Sequence, residues 1–199
     1  MMNILLAGVG GQGTVLASKL IAQSAINKGL NARTAETIGM AQRGGCVVSH
    51  VRIGEMICSP LIPLRKADLI IGFEPAEAVR CLPFLKDGGA VVTSTKAVKP
   101  VTATLTGSGY GGEEMLSFLK ENIQTLYLVD AESICRKLGS SKALNTVLLG
   151  AAAGANLLGV TVEELERALC EKLPDRFIDL NRRALAMGVQ TIQEGMKTK

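Results

Sequence analysis

The chain has 199 residues, 47% hydrophobic and 20% charged, with only 3% aromatic and no tryptophan, a composition that excludes a disordered chain and leaves aliphatic side chains and alanine to fill the core. Its 22 basic and 18 acidic residues give a net charge of +4 but are scattered, with no basic block interleaved with aromatics, which argues against nucleic-acid binding. Five cysteines lie far apart with no CxxC and a single histidine, so local spacing builds neither a zinc site nor an iron–sulfur cluster, and reduced thiols in the cytoplasm are the expectation.

The opening "MMNILLAGVG" has no cationic start and too short an apolar run for a signal peptide. It reads instead as a strand over 3–7, entering a glycine turn over 8–13, a helix over 14–28 and a stop at Gly29. A weaker extended segment follows over 31–35, completing half of a βαβ unit. "CVVSHVRIGEMICSP" suggests a hairpin: a strand ending at Ile53, a Gly54-Glu55 turn, and a second short strand. Any sheet is therefore expected to be mixed.

"ADLIIGF" over 67–73 has the continuous apolar run of a buried strand; "EPAEAVRCLPFL" starts a helix with proline in its first turn and Pro83 at its end, and "DGGAVVTST" turns into another strand. "TLYLVDA" adds a strand with Asp130 at its C-terminal end. The remainder is mostly helical. "TVEE" at 161–164 matches a capping box, and Leu165, Leu169 and Leu173 continue an apolar stripe at helical spacing. Gly150, Gly154 and the alanines between them give a smooth helix, made either for packing on the sheet or for a subunit interface. The longest apolar stretch, "VLLGAAAGANLLGV", is shorter than the ~20 residues of a membrane span. The elements sum to one α/β domain over 1–199, a Rossmann-like three-layer arrangement with a mostly parallel, mixed sheet.

Gly8, Gly10 and Gly13, with Gly11 between them, satisfy G-x-G-x-x-G between a strand and a helix, where glycines permit a tight turn and close ligand approach and the helix start offers free N–H groups to an anion. A P-loop is excluded because Thr14-Val15 stand where Lys and Ser or Thr are required. A nicotinamide site is disfavoured as well. Its ribose-binding acid belongs ~20 residues on, where "NKGLNAR" has none and Glu36 comes late.

"GVGGQGTVLASKLIAQ", "AETIGMAQRGGCVVSHVRIG" and "SPLI…ADLIIGFEPAEAVR", continuing to "ALNTVLLGAAAG" and "NRRALAMG", together resemble the gamma-type domain of 2-oxoacid:ferredoxin oxidoreductases, and within that family its indolepyruvate (arylpyruvate) branch. The likeness covers almost the whole chain, and its most distinctive motif is 39–45. Ile38 stands where the family usually has a polar residue, often His, and Cys46 where Ser is common.

The resemblance implies the fold of domain III of pyruvate:ferredoxin oxidoreductase. It also implies a small subunit that binds no cofactor alone. Thiamine diphosphate and iron–sulfur clusters are then expected in a large partner subunit, with ferredoxin as electron acceptor and coenzyme A as acyl acceptor for a 2-oxoacid.

The candidate ligand-binding residues are Gly8, Gly10, Gly11, Gln12, Gly13, Thr14, Gln42, Gly44, Gly45 and Glu74, with Arg43 in a supporting catalytic role. Arg43 offers a planar fork for a carboxylate or phosphate beside the Gly44-Gly45 pair, or ties its loop down. Gln12 either meets a substrate or braces the turn. Glu74 follows a strand end, where α/β sheets place their sites, or caps the next helix. Asn145 and Asn181 recur in the family-like segments or serve as packing amides. Cys46 and His50 share a strand face four residues apart, which fits a buried thiol better than a nucleophile. The rival functions are a free-standing NAD(P)-binding domain and a purely structural scaffold.

Overall fold

The computed structural model describes residues 1–38, 45–98 and 110–197. In chain order these form β1 (Met2–Val9), α1 (Thr14–Asn27), β2 (Asn31–Ile38), β3 (Cys46–Gly54), β4 (Ala67–Gly72), α2 (Pro75–Arg80) and β5 (Leu85–Ser94). There follow α3 (Glu113–Asn122), β6 (Thr125–Val129), α4 (Ala131–Leu138), α5 (Leu144–Gly154), α6 (Val162–Lys172) and α7 (Asp175–Lys197). Single 3-10 turns stand at Leu82–Phe84, around Pro83, and at Ser141–Ala143.

The strands make one sheet in the order β2-β3-β1-β4-β5-β6. Strands β1, β4, β5 and β6 pair in parallel, whereas β3 is antiparallel to both of its neighbours. The sheet is therefore mixed and mostly parallel, with β3 as its reversed strand. Alternation along the central strands divides the core: Ile4, Leu6, Leu69, Ile71 and Val92 face α1 and the helices α4 to α7, while Leu5, Ala7, Ile70 and Val91 face α2 and α3. Covering both faces is what allows "ILLA" and "ADLIIG" to be apolar at every position.

The expected hairpin at Gly54-Glu55 is not formed. Strand β3 does end at Gly54, but β1 pairs along one of its edges and β2 along the other, so no edge is open to a returning strand. Residues 55–66 instead cross to β4 held by side chains. The Arg52 guanidinium donates to the Ser59 carbonyl at 2.8 Å and the Leu61 carbonyl at 3.3 Å, and the Ile62 N–H donates to His50 Nδ1 at 3.2 Å. Pro60 and Pro63 could not have served a ladder.

The smooth helix α5 meets α7 within the chain. A Cβ on Gly150 would lie 2.2 Å from the Leu185 carbonyl oxygen, and one on Gly188 2.1 Å from that of Val147. The two backbones touch where both lack side chains. The capping box at Thr161 and Glu164 is present, with both reciprocal bonds made.

Candidate functional site

The glycine turn joins β1 to α1 at the carboxyl edge of the sheet. Helix α1 leaves on one face and α2, which follows β4, leaves on the other, so the ends of β1 and β4 form the topological switch point at which open α/β sheets bind ligands. Gly8 is needed for space, since a Cβ would stand 2.7 Å from Gln12 Oε1 and 2.8 Å from Phe73 Cβ. Gly11 and Gly13 are needed for conformation, at φ +100° and +84°. Gly13 caps α1 without a side-chain hydrogen bond, and Thr14 opens the helix as a buried residue. Gly10 N–H donates to the Gly45 carbonyl at 2.8 Å.

Gln12 turns out to brace the switch point. Its Oε1 accepts from Val9 N–H at 2.8 Å and its Nε2 donates to the Phe73 carbonyl at 3.1 Å, so one amide ties the end of β1 to the end of β4. Glu74 is likewise committed to structure. It is 2% exposed, caps α2 by accepting from Glu77 N–H at 3.1 Å, and accepts from Tyr110 Oη at 2.5 Å. Burial, then this hydrogen bond to a carboxylate, hold the Tyr110 phenol above its ordinary value.

The thiols beside this cap rest protonated. Burial, with the Glu77 carboxylate next to it, pushes Cys46 up to about 11, and burial pushes Cys81 to about 12. His50 is spent on Ile62 and packs its ring edge-to-face with Phe84 at 5.8 Å, so it is not a base for Cys46. Asn145 packs its amide over Gly13, where a Cβ would meet Nδ2 at 3.0 Å. Asn181 accepts from Thr146 Oγ1 at 2.5 Å and donates to the Phe177 carbonyl at 2.8 Å, tying α5 to α7. Of the 39–45 motif only Gly45 belongs to the described residues; Arg43, Gln42 and Gly44 lie outside them.

Beyond the turn a cavity of about 510 Å³ runs from Gly11, Gln12 and Phe73 across the end of β5 to α4 and the start of α5. Sequence reasoning missed its charged wall. Lys96 follows β5, its N–H donating to Ser94 Oγ at 3.2 Å, and its ammonium pairs with Glu132 of α4. Arg136 Nη2 lies 3.8 Å from the other oxygen of the same carboxylate. Ser140 and Ser141 complete the far side. The signal available in the sequence was positional: Lys96 and Glu132 each come just after the carboxyl end of a strand, β5 ending at Ser94 and β6 at Val129. A larger groove of about 900 Å³ opens at the opposite end of the sheet, where β5 begins, away from the glycine turn.

Lys96, Arg136, Ser140 and Ser141 give the cavity the groups that bind an anion, with Glu132 now paired to both cations. Among the described residues no three His, Cys, Asp or Glu side chains gather to hold a metal. No helix among the described residues is long and apolar enough to cross a membrane.

Residues 3–191 match the family described as pyruvate ferredoxin/flavodoxin oxidoreductase. The chain is 40% identical over 188 residues to the indolepyruvate oxidoreductase subunit IorB of Archaeoglobus fulgidus, covering 94% of this chain and 93% of that one. Its fold is similar to the keto/oxoacid ferredoxin oxidoreductase gamma subunit from Geobacter sulfurreducens (TM-score 0.72, 24% identity, 98% and 99% of the two chains). It is also similar to 2-oxoglutarate:ferredoxin oxidoreductase from Magnetococcus marinus, solved with 2-oxoglutarate, coenzyme A and succinyl-CoA bound (TM-score 0.72, 19% identity, 97% of this chain and 31% of that one).

Proposed function

The chain belongs to the pyruvate ferredoxin/flavodoxin oxidoreductase family, and we propose that it is the small subunit of a 2-oxoacid:ferredoxin oxidoreductase of the indolepyruvate type whose carboxyl-edge cavity receives coenzyme A. In the overall reaction a 2-oxoacid and the coenzyme A thiol give an acyl thioester, carbon dioxide, a proton and two electrons, the electrons passing to ferredoxin. Thiamine diphosphate and the iron–sulfur clusters belong to a larger partner subunit, the five cysteines of this chain lying too far apart in sequence for a local cluster motif. The 40% identity to an indolepyruvate oxidoreductase subunit over nearly the whole chain supports the substrate class.

The observation that carries the reading is the convergence of Lys96 and Arg136 with the left-handed turn at Gly11 on one cavity. Coenzyme A is a polyanion at its nucleotide end, and fixed N–H groups with charged forks are what bind phosphates. That the Magnetococcus marinus enzyme was solved with coenzyme A supports the ligand's identity. The 39–45 segment, with Arg43 at its centre, then completes the partner's active site or guides the acyl acceptor toward it.

The test is steady-state kinetics of the complex reconstituted from this chain and its large subunit. Lys96→Ala should raise the KM for coenzyme A about tenfold, the loss of one charge-assisted contact, with the KM for the 2-oxoacid unchanged. An unaltered KM for coenzyme A in an assembled, active complex would remove the cavity from the reading.

A further inference from the structure

We propose that Glu132 is an internal counter-ion that the incoming phosphate must displace, so that this single carboxylate sets how tightly the cavity holds its ligand. The proposal rests on the cavity being the coenzyme A site. Both cations of the wall converge on it: Lys96 Nζ on Oε1 and Arg136 Nη2 on Oε2 at 3.8 Å. With no ligand bound, the two positive charges and one negative charge leave the wall a net single positive charge. A phosphate that takes Glu132's place meets two.

The pairing contributes little to the stability of the fold. The side chains of Lys96, Arg136 and Glu132 are 50%, 72% and 37% exposed, and ion pairs so open to water are weak. It is also easily exchanged, because the Lys96 backbone is held separately through its N–H to Ser94 Oγ, so that only the ammonium has to swing. Glu132 further occupies the first turn of α4, where the helix macrodipole favours a negative charge. A bound phosphate next to that turn would recover the same interaction. The carboxylate thus stands where the ligand's own charge would stand.

Neutralising it without changing its shape should therefore tighten binding. Calorimetric titration of the full chain with 3′,5′-ADP, the nucleotide end of coenzyme A, reads this directly. Glu132→Gln is expected to bind about 3- to 10-fold more tightly than wild type, the weight of two exposed ion pairs released, and to show a steeper loss of affinity with added salt. Lys96→Ala should weaken binding, and the double variant should fall back to wild-type affinity or below. In the reconstituted complex Glu132→Gln should lower the KM for coenzyme A.

If Glu132→Gln leaves 3′,5′-ADP binding unchanged or weaker while Lys96→Ala weakens it, Glu132 only braces the cations; the proposal is then overturned and the cavity keeps its ligand. If the nucleotide binds neither wild type nor variants, or binds all alike, the proposal and the coenzyme A reading fall together. Thermal unfolding of each variant separates a folding defect from either result.

Discussion

Replacing Gly11 by alanine separates the turn's structural role from its role in binding. Gly11 sits at φ +100° and lines the cavity, and a Cβ built there meets no atom within 4 Å. The stability cost is therefore conformational: a left-handed alanine costs roughly 1–2 kcal/mol, partly offset by the reduced freedom of the unfolded chain, about 0.4–1 kcal/mol. The net is about 1 kcal/mol, or about 2–4 °C in Tm for a chain of this length. Gly13→Ala carries the same backbone strain and drives its methyl to 3.0 Å from Asn145 Nδ2 and 3.2 Å from Cγ, so it should lose a further ~1–3 kcal/mol through overpacking. Gly11→Ala should accordingly fold and assemble, yet put a methyl group where a phosphate would approach the turn, raising the KM for coenzyme A about tenfold, equivalent to ~1.4 kcal/mol. Differential scanning calorimetry and kinetics on the same preparations provide the check. A Tm that falls by about 2–4 °C, with a KM for coenzyme A equal to wild type, would show that no ligand reaches the turn.

Three further outcomes rest on buried groups. Burial holds His50 below its ordinary pKa, so below about pH 6.5 the unfolded chain binds the extra proton first and stability is lost as pH falls; Tm measured from pH 7.5 to 5 should decline, and His50→Asn, which keeps an acceptor for Ile62, should flatten that slope. Buried Cys81, raised to about 12, should resist iodoacetamide at pH 8 until the chain unfolds, half-buried Cys46, raised to about 11, should label slowly, and exposed Cys58 should label at once; mass spectrometry after timed quenching reads the order. Gly188→Ala, whose methyl would stand 2.1 Å from the Val147 carbonyl oxygen, must part α5 from α7 and should cost about 3 kcal/mol or more in denaturant unfolding, against a change within ~0.5 kcal/mol for the control Gln190→Ala at an exposed position of the same helix.

The parts legible in the sequence are those with a local cause. "ILLA" and "ADLIIG" are apolar without alternation because both faces are covered, and the box at Thr161 satisfies its helix end within four residues. Residues 55–58 misled because turn chemistry at Gly54 is local, whereas the occupation of both edges of β3 is not. Gln12 as a brace of the turn and Glu74 as a helix cap were legible, but not their distant partners: Gln12 also holds the carbonyl of Phe73, 61 residues away, and Glu74 accepts from Tyr110. The charged wall was invisible for the same reason. Lys96 and Glu132 are 36 residues apart and each is an ordinary surface residue alone; only the parallel pairing of β5 with β6 brings the segment after Ser94 beside the start of α4.

The reversed strand also explains why a dinucleotide-type turn comes without the acid that a dinucleotide needs. In the usual frame β2 lies beside β1, one strand spacing away, and the carboxylate at its end reaches the ribose. Here β3 is inserted between them, with Val9 opposite Cys46 and Gly8 opposite Val47, so β2 stands two spacings from β1, about 9–10 Å. Glu36, near the end of β2, turns instead to Ser18 Oγ at 3.3 Å and supports α1. Beside the turn, Gly10 N–H is bonded to the Gly45 carbonyl, so this donor is not offered to a ligand. The cavity opens over the ends of β4 and β5, where Lys96 and Arg136 stand, on the far side of β1 from the inserted strand, so an anion held there would meet the turn from the β4 side.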